Sequence, residues 1–168
     1  MYETNRLILR KAVFSDWEQM YRNIWCHEET ARYMLWAVTE SEAAAKERME
    51  RTIAFQQSHH AWLVVEKESG KAIGFAGLRE ESGVCEDTGI AVGPRYVGKG
   101  YGTEILNELV RIAKEGLNAH GFIATCRSEN EASRKMILGC GFRFSHAEPR
   151  VDKRNGEKYT LEFYRKEI

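Results

Sequence analysis

Residues 92 to 103 read Val-Gly-Pro-Arg-Tyr-Val-Gly-Lys-Gly-Tyr-Gly-Thr and join the apolar run Ile90-Ala91-Val92 to an amphipathic helical stretch. Few segments restrict a chain more. Glycines at 98, 100 and 102 let the backbone adopt φ > 0 and approach a ligand closely. The first-turn amides of the following helix lack intrahelical acceptors, and its N-terminus carries partial positive charge. Strand, glycine turn and helix start together form a phosphate cradle, with pyrophosphate the natural occupant.

Spacing separates the phosphate loops this segment could be. Gly93 through Lys99 meets G-x-x-x-x-G-K, but Gly100 stands where a P-loop needs the hydroxyl that holds Mg²⁺. A dinucleotide fingerprint fails at Thr103, where the third glycine should be, and no parallel βαβ unit surrounds it. The absent hydroxyl after Lys99 also counts against a nucleotide hydrolase. A third pattern, Arg/Gln-x-x-Gly-x-Gly/Ala, is met at every defined position by Arg95-Tyr96-Val97-Gly98-Lys99-Gly100.

The 168 residues fit a single domain, 1–168, long enough to bury a core without disulfide or metal support. Hydrophobic and charged fractions of 43% and 30% read as globular rather than disordered. Basic and acidic residues balance at 25 each, so no net field favours a polyanion and nucleic acid is not an expected partner. Cys26, Cys85, Cys126 and Cys140 lack C-x-x-C spacing and read as reduced thiols, with no metal expected. Glu3, Arg6, Arg10 and Lys11 interrupt the N-terminal stretch, and no apolar run reaches the ~18 residues of a membrane span. A cytoplasmic protein without a membrane partner is expected.

Along the chain, Leu7 to Leu9 predicts a first strand. Ser15 with Glu18 reads as a capping box opening a helix toward Trp25, and Thr39 with Glu42 as a second box opening a helix to about Gln57. The segment between them, Trp25 to Trp36, is a loop dense in aromatics and acids. It either walls a site, with Trp25, Glu28 and Trp36 as acceptor-binding candidates, or plugs a small core. Three strands at 62–65, 72–78 and 84–92 form an antiparallel meander. A helix carrying Ile105, Leu106, Leu109, Ile112 and Ala113 on one stripe ends near Gly116. A strand at 122–126, a helix at 131–138 and two strands at 142–147 and 159–164 follow, the last pair joined through the Asn155-Gly156 turn signal.

The resulting order, β-α-α-β-β-β-α-β-α-β-β, implies an α/β (α+β) fold with a mixed, mostly antiparallel sheet of about six to seven strands and about four flanking helices. It is the order of the GNAT superfamily of N-acetyltransferases, whose acetyl-CoA loop the Arg95–Gly100 pattern resembles. The opening Thr4–Arg10 is similar to the branch that includes ribosomal-protein N-terminal alanine/serine acetyltransferases. Asn130-Glu131-Ala132-Ser133, with Gly141-Phe142 eight residues after Ser133, is similar to the superfamily's second CoA-contacting motif.

The resemblance implies acetyl-CoA as cosubstrate, with Arg95, Gly98, Lys99, Gly100, Tyr101, Gly102, Thr103, Asn130 and Ser133 in its binding site. It implies that the pantetheine arm pairs like a strand with Ile90, Ala91 and Val92, and that an amide near Ala91 or Val92 faces the thioester oxygen. Acetyl transfer to an amine needs a neutral nucleophile and a proton for the departing thiolate. Asp87 and Glu86, at the start of the strand entering the loop, are the candidate bases, although one of two adjacent acids can simply face solvent. The position where many superfamily members place a tyrosine acid is Ile137, whereas Ser133 matches the branch with a serine near the sulfur. That serine either stabilises the thiolate or only packs its helix. Cys126 and Cys140 show no histidine partner and read as core thiols rather than nucleophiles. The implied acceptor is a protein or peptide α-amine. A small amine such as a polyamine or amino sugar is the alternative, as is a non-catalytic CoA-binding domain, and a homodimer is compatible with any of these.

Overall fold

The structure, a computed structural model, describes residues 1–168. Its eight strands form one sheet in the order β1-β2-β3-β4-β5-β6-β8-β7. The short β1 (Tyr2–Glu3) pairs with β2 (Leu7–Arg10), and the Tyr2 ring meets Trp62 edge-on at 5.4 Å. The first helix, α1 (Trp17–Met20), continues through a π-helical turn (Tyr21–Trp25). Its cap is not Ser15: a 3₁₀ turn (Phe14–Asp16) precedes it, and the Asp16 carboxylate accepts the Val13 amide at 2.8 Å and two Arg10 N–H groups. The Arg10 fork fixes the Asp16 carboxylate on the Val13 amide, and α1 begins without a side-chain cap.

The expected loop between Trp25 and Trp36 contains a helical turn, α2 (Glu28–Ala31). The second cap is shifted as well: Ser41 Oγ accepts the Ala44 amide at 3.2 Å and opens α3 (Glu42–Ser58). Thr39 is instead buried, its hydroxyl accepting a bond from Arg48 at 2.9 Å. The meander is as expected, with β3 (His60–Glu66), β4 (Ala72–Glu81) and β5 (Val84–Val92) antiparallel. Along β3, Trp62 and Val64 face the larger core under α4 (Tyr101–Arg111), while Leu63 and Val65 face a smaller core with Met20, Ile24 and Met49. Both faces of this strand are covered, so it lacks polar alternation.

After β6 (Gly121–Arg127) and α5 (Glu131–Gly139), the strands β7 (Arg143–Val151) and β8 (Lys158–Glu167) run longer than periodicity suggested. β8 inserts between β6 and β7. The feature that positions the site is the junction of β5 and β6. They pair in parallel only over Val84–Glu86 against Gly121–Ile123, then separate, leaving an open edge along the rest of β5. No helix is long and apolar enough to cross a membrane.

Candidate active site

Where β5 and β6 separate, a cleft of about 430 Å³ opens. Its walls include Glu86, Asp87, Gly89 and Ile90 from β5, Thr125, Cys126 and Arg127 from β6, Asn130, Ser133 and Ile137 from α5, Tyr159 from β8, and Trp36. Residues far apart in sequence thus meet in one place. Asp87 lies at the fork, its carboxylate accepting the Thr125 amide at 2.7 Å. Burial pushes its pKa up to about 7, an effect that the Thr125 and Gly89 amides partly offset and that Glu86 reinforces. Thr88 follows as a bulge: Gly89 pairs with Gly77 and Asp87 with Leu78, so one residue is extra. A side chain at Gly77 would meet Thr88 Oγ1 at 2.5 Å, so glycine there leaves room for the bulged hydroxyl.

The other candidate base, Glu86, is engaged: it accepts a bond from Arg79 at 2.7 Å across the β4–β5 pair. Asn130 Oδ1 accepts the Ser133 amide at 3.1 Å and caps α5, which fixes the turn that presents Ser133 to the cleft. Ile137 is buried in the larger core, so no phenol stands there. Burial raises the Cys126 thiol to about 11, which keeps it protonated and unlike a nucleophile.

The glycine turn runs directly from β5 into α4. Gly98 and Gly100 have φ of +78° and +77°, where a Cβ is strained, and Gly100 is the N-cap of α4. From residue 97 to 103 no backbone N–H donates to a protein acceptor. Arg6 braces this run from the turn just before β2: it donates to the Lys99 carbonyl at 2.8 Å and to Glu104 at 2.7 Å, and stacks 4.5 Å from the Tyr101 ring centre. Arg95 and Lys99 are exposed beside the turn. Tyr101 contributes only backbone, since its ring is buried and its hydroxyl donates to Glu66 at 2.5 Å. Gly102 serves packing: a Cβ there would lie 2.6 Å from Met136 Sδ.

Along the open edge, register decides which β5 amides are free. The Gly93 amide donates to the Ile73 carbonyl on the β4 side, so alternation aims the Ala91 amide at β4 and those of Ile90 and Val92 at the edge. Ala91 is buried by this pairing.

The three acceptor candidates separate. Trp36 lines the cleft. Trp25 is a core residue, only 2% exposed, whose edge reaches a second cavity. Glu28 is exposed on α2, facing a shallow depression with Cys26, His27, Glu29, Arg32 and Tyr33, and does not join the cleft. The helical turn at α2, unseen in the sequence, rotates it away.

Sequence reasoning missed the device that holds this wall. Arg154, in the β7–β8 turn, donates to the carbonyls of Trp36 at 2.7 Å and Ala31 at 3.1 Å. It is held by the buried Asp152, which Arg127 also contacts at 2.7 Å, and the two guanidinium groups keep that carboxyl far below the usual carboxylate range. Arg127 in turn lies 3.9 Å from the ring centre of Tyr159. A charged turn beside Asn-Gly carries no periodic signal; only its fold-back reveals the contact.

A forked parallel junction, an open strand edge and a glycine turn of free amides at a helix start define an acyl-CoA-dependent transferase fold. The chain belongs to the acetyltransferase (GNAT) domain family, which matches residues 6–143, and is an acetyl-CoA-dependent N-acetyltransferase. It is 25% identical over 167 residues to the uncharacterized N-acetyltransferase YoaA of Bacillus subtilis, covering 96% of this chain and 93% of that one. Among solved structures it resembles a Vibrio cholerae protein provisionally designated a ribosomal-protein-serine acetyltransferase, with TM-score 0.79, 22% identity, and 99% and 96% coverage of the two chains. It also resembles the Microcin C7 self-immunity acetyltransferase MccE, solved with acetyl-CoA and AMP, with TM-score 0.82, 20% identity, and 98% and 94% coverage.

Proposed function

We propose that the protein, a single domain over residues 1–168, transfers acetyl from acetyl-CoA directly to the α-amine of a protein or peptide. The run of free amides at 97–103 is the observation that carries the cosubstrate site, because such a row at a helix start suits a pyrophosphate and nothing in the protein satisfies it. Arg95, Lys99 and Asn130 flank the bound cosubstrate, and the pantetheine arm extends β5 at its open edge. Of the two outward amides, Ile90 lines the cleft and is the donor for the thioester oxygen, while Val92 pairs with the arm. One well-aimed donor of this kind contributes ~3 kcal/mol to lowering the barrier.

Asp87 accepts the proton of the incoming amine. The neutral amine nitrogen attacks the thioester carbon, the carbon–sulfur bond breaks with its electron pair passing to sulfur, the nitrogen gives up its second proton to solvent, and CoA leaves as a thiolate steadied by the Ser133 hydroxyl until solvent protonates it. No acyl-enzyme is involved. The similarity of Thr4–Arg10 to the ribosomal-protein branch and the provisional designation of the Vibrio cholerae protein support the α-amine acceptor.

Thiol release from acetyl-CoA, measured against a panel of peptides and small amines, tests the reading. Peptide α-amines are expected to give the highest kcat/KM. Turnover confined to polyamines or amino sugars would overturn the acceptor assignment and leave the transferase intact.

A further inference from the structure

Beyond Thr88 and Gly89 a second cavity of about 340 Å³ adjoins the cleft, on the face covered by α1 and α3. The two cavities share Trp36, Phe75, Thr88 and Gly89, so an acceptor reaching Asp87 can extend into this chamber. Its walls include the aromatic residues Trp25, Trp36, Phe55 and Phe75 with polar Thr52 and Gln56, and its only charges are Arg48 and Arg51.

Arg48 is the unusual group. Its guanidinium lies 4.6 Å from the Trp25 ring centre and 4.3 Å from that of Trp36, and donates one hydrogen bond, to Thr39 Oγ1. No carboxylate pairs with it, and its charged neighbour is Arg51, whose own contact with Glu47 is long, at 3.9 Å, and solvent-exposed. Burial and that like charge lower the Arg48 pKa to about 10. Elsewhere the chain pairs its partly buried arginines: Arg10, Arg127 and Arg154 all meet aspartates. At the same boundary the buried Trp36 indole N–H has no acceptor in the protein. A planar fork with spare donors, fixed between aromatic rings and beside a second cation, is complementary to a carboxylate.

We infer that this chamber is an anion-reading acceptor subsite, in which Arg48 and Arg51 bind a carboxylate belonging to the same molecule whose amine is acetylated. The inference rests on the α-amine acceptor reading and narrows it to amines that also carry a carboxylate: a peptide beginning with an acidic residue, or a free amino acid. Polyamines are disfavoured, because a second ammonium would enter beside two guanidinium groups.

Two arms test it. In the first, kcat/KM is compared for matched peptides beginning with Glu, Gln or Lys, for free glutamate, and for putrescine. The Glu peptide is expected to exceed its Gln counterpart by roughly 10- to 100-fold, and Arg51→Gln and Arg48→Gln should each collapse that ratio. Comparing the Glu peptide with free glutamate distinguishes the two sources of carboxylate. Arg51 is exposed, so Arg51→Gln remains informative if Arg48→Gln, which loses its stacking on two tryptophans, fails to fold. Equal rates for Glu and Gln peptides, or a preference that persists in Arg51→Gln, would overturn the subsite while leaving the α-amine reading standing.

In the second arm, glutarate and uncharged glutaramide are titrated against tryptophan fluorescence, since Arg48 contacts two indoles. Saturation by glutarate alone, lost in Arg51→Gln, supports the subsite even if no amine in the panel turns over, an outcome that would refute the acceptor reading separately. No response to glutarate, or an equal response to glutaramide, refutes the subsite.

Discussion

The Asp87 carboxylate accepts the Thr125 amide at 2.7 Å, across the fork where β5 and β6 cease to pair. One side chain thereby replaces a missing ladder bond and places an acid at the cleft floor. Held at about 7 by burial, Asp87 titrates just below a typical α-amine at ~8, so acid and amine exchange a proton at little cost near neutrality.

The pH dependence of Asp87→Asn follows from that pair of values. Below about 7 wild-type Asp87 is protonated and cannot act as base, and above ~8 the amine is neutral without help. The ratio of wild-type to Asp87→Asn kcat/KM should therefore pass through a maximum between the two. Pre-steady-state or initial-rate profiles from pH 6 to 9.5 decide it, and a flat ratio would reduce Asp87 to a positioning residue.

The same carboxyl makes a separate stability prediction. A raised acid pKa means that the folded state holds a proton the unfolded chain has released, so stability from this group falls as pH rises from about 4 to about 7 and stays lost above. Asparagine keeps an oxygen for the Thr125 amide but never ionises. Asp87→Asn should gain stability relative to wild type across that interval and hold the gain at pH 8. Parallel denaturant titrations at pH 5 and pH 8 measure it; an advantage at pH 5 that vanishes at pH 8 would reverse the sign of the argument.

The glycine turn yields a binding prediction. At φ +77°, Gly100 occupies a conformation that valine adopts only with strain, and its amide belongs to the unsatisfied row. Gly100→Val should lose acetyl-CoA binding by at least about tenfold while remaining folded, because no wall lies within 3.4 Å of the added Cβ. Calorimetry on the folded variant checks this. Undiminished affinity would make the turn structural.

What could be read from the sequence was whatever repeats or punctuates. The meander, the glycine turn and the Ile105–Leu109 stripe carry apolar-run, positive-φ and period-3.6 signals, and all lie where expected. The caps at Ser15 and Thr39 were misplaced because several nearby hydroxyls and acids fit the same local rule, and tertiary partners, Arg10 for Asp16 and Arg48 for Thr39, chose among them. The placement of Asp87 and Ser133 in one cleft agrees with their motif positions, but Glu86 could be set apart from Asp87 only once Arg79 lay opposite it. Arg48, Arg154 and Tyr159 were invisible because each acts across more than one element.

Arg154 links the β7–β8 turn to the Trp36 wall of the cleft, and on the proposed reading its loss should be felt mainly by the acceptor. Arg154→Met removes the donors to the Trp36 and Ala31 carbonyls and leaves Asp152 paired with Arg127. The KM for the amine should rise roughly five- to tenfold while the KM for acetyl-CoA changes little, with stability falling by about 1–3 kcal/mol. Steady-state kinetics with each substrate varied separates these. An equal rise in both KM values would mean that the clamp supports the whole cleft.

Ser133 provides the sharpest test of how CoA departs. With Ile137 buried and no phenol at that position, the hydroxyl presented by the Asn130-capped turn of α5 is the nearest candidate in the motif to steady the thiolate. The cap uses the Ser133 backbone amide and not its hydroxyl, so Ser133→Ala keeps the turn and removes only the Oγ. An interaction made mainly in the transition state should cost kcat and kcat/KM alike, by roughly tenfold to a thousandfold, with acetyl-CoA affinity little changed. Ser133→Thr should restore part of the rate, and acyl donors with more acidic thiols should narrow the gap between wild type and Ser133→Ala, because a better leaving group needs less help. If the alanine variant is slow with every donor to the same degree, the serine orients the thioester and solvent protonates the thiolate; if it is fully active, the hydroxyl serves only the fold.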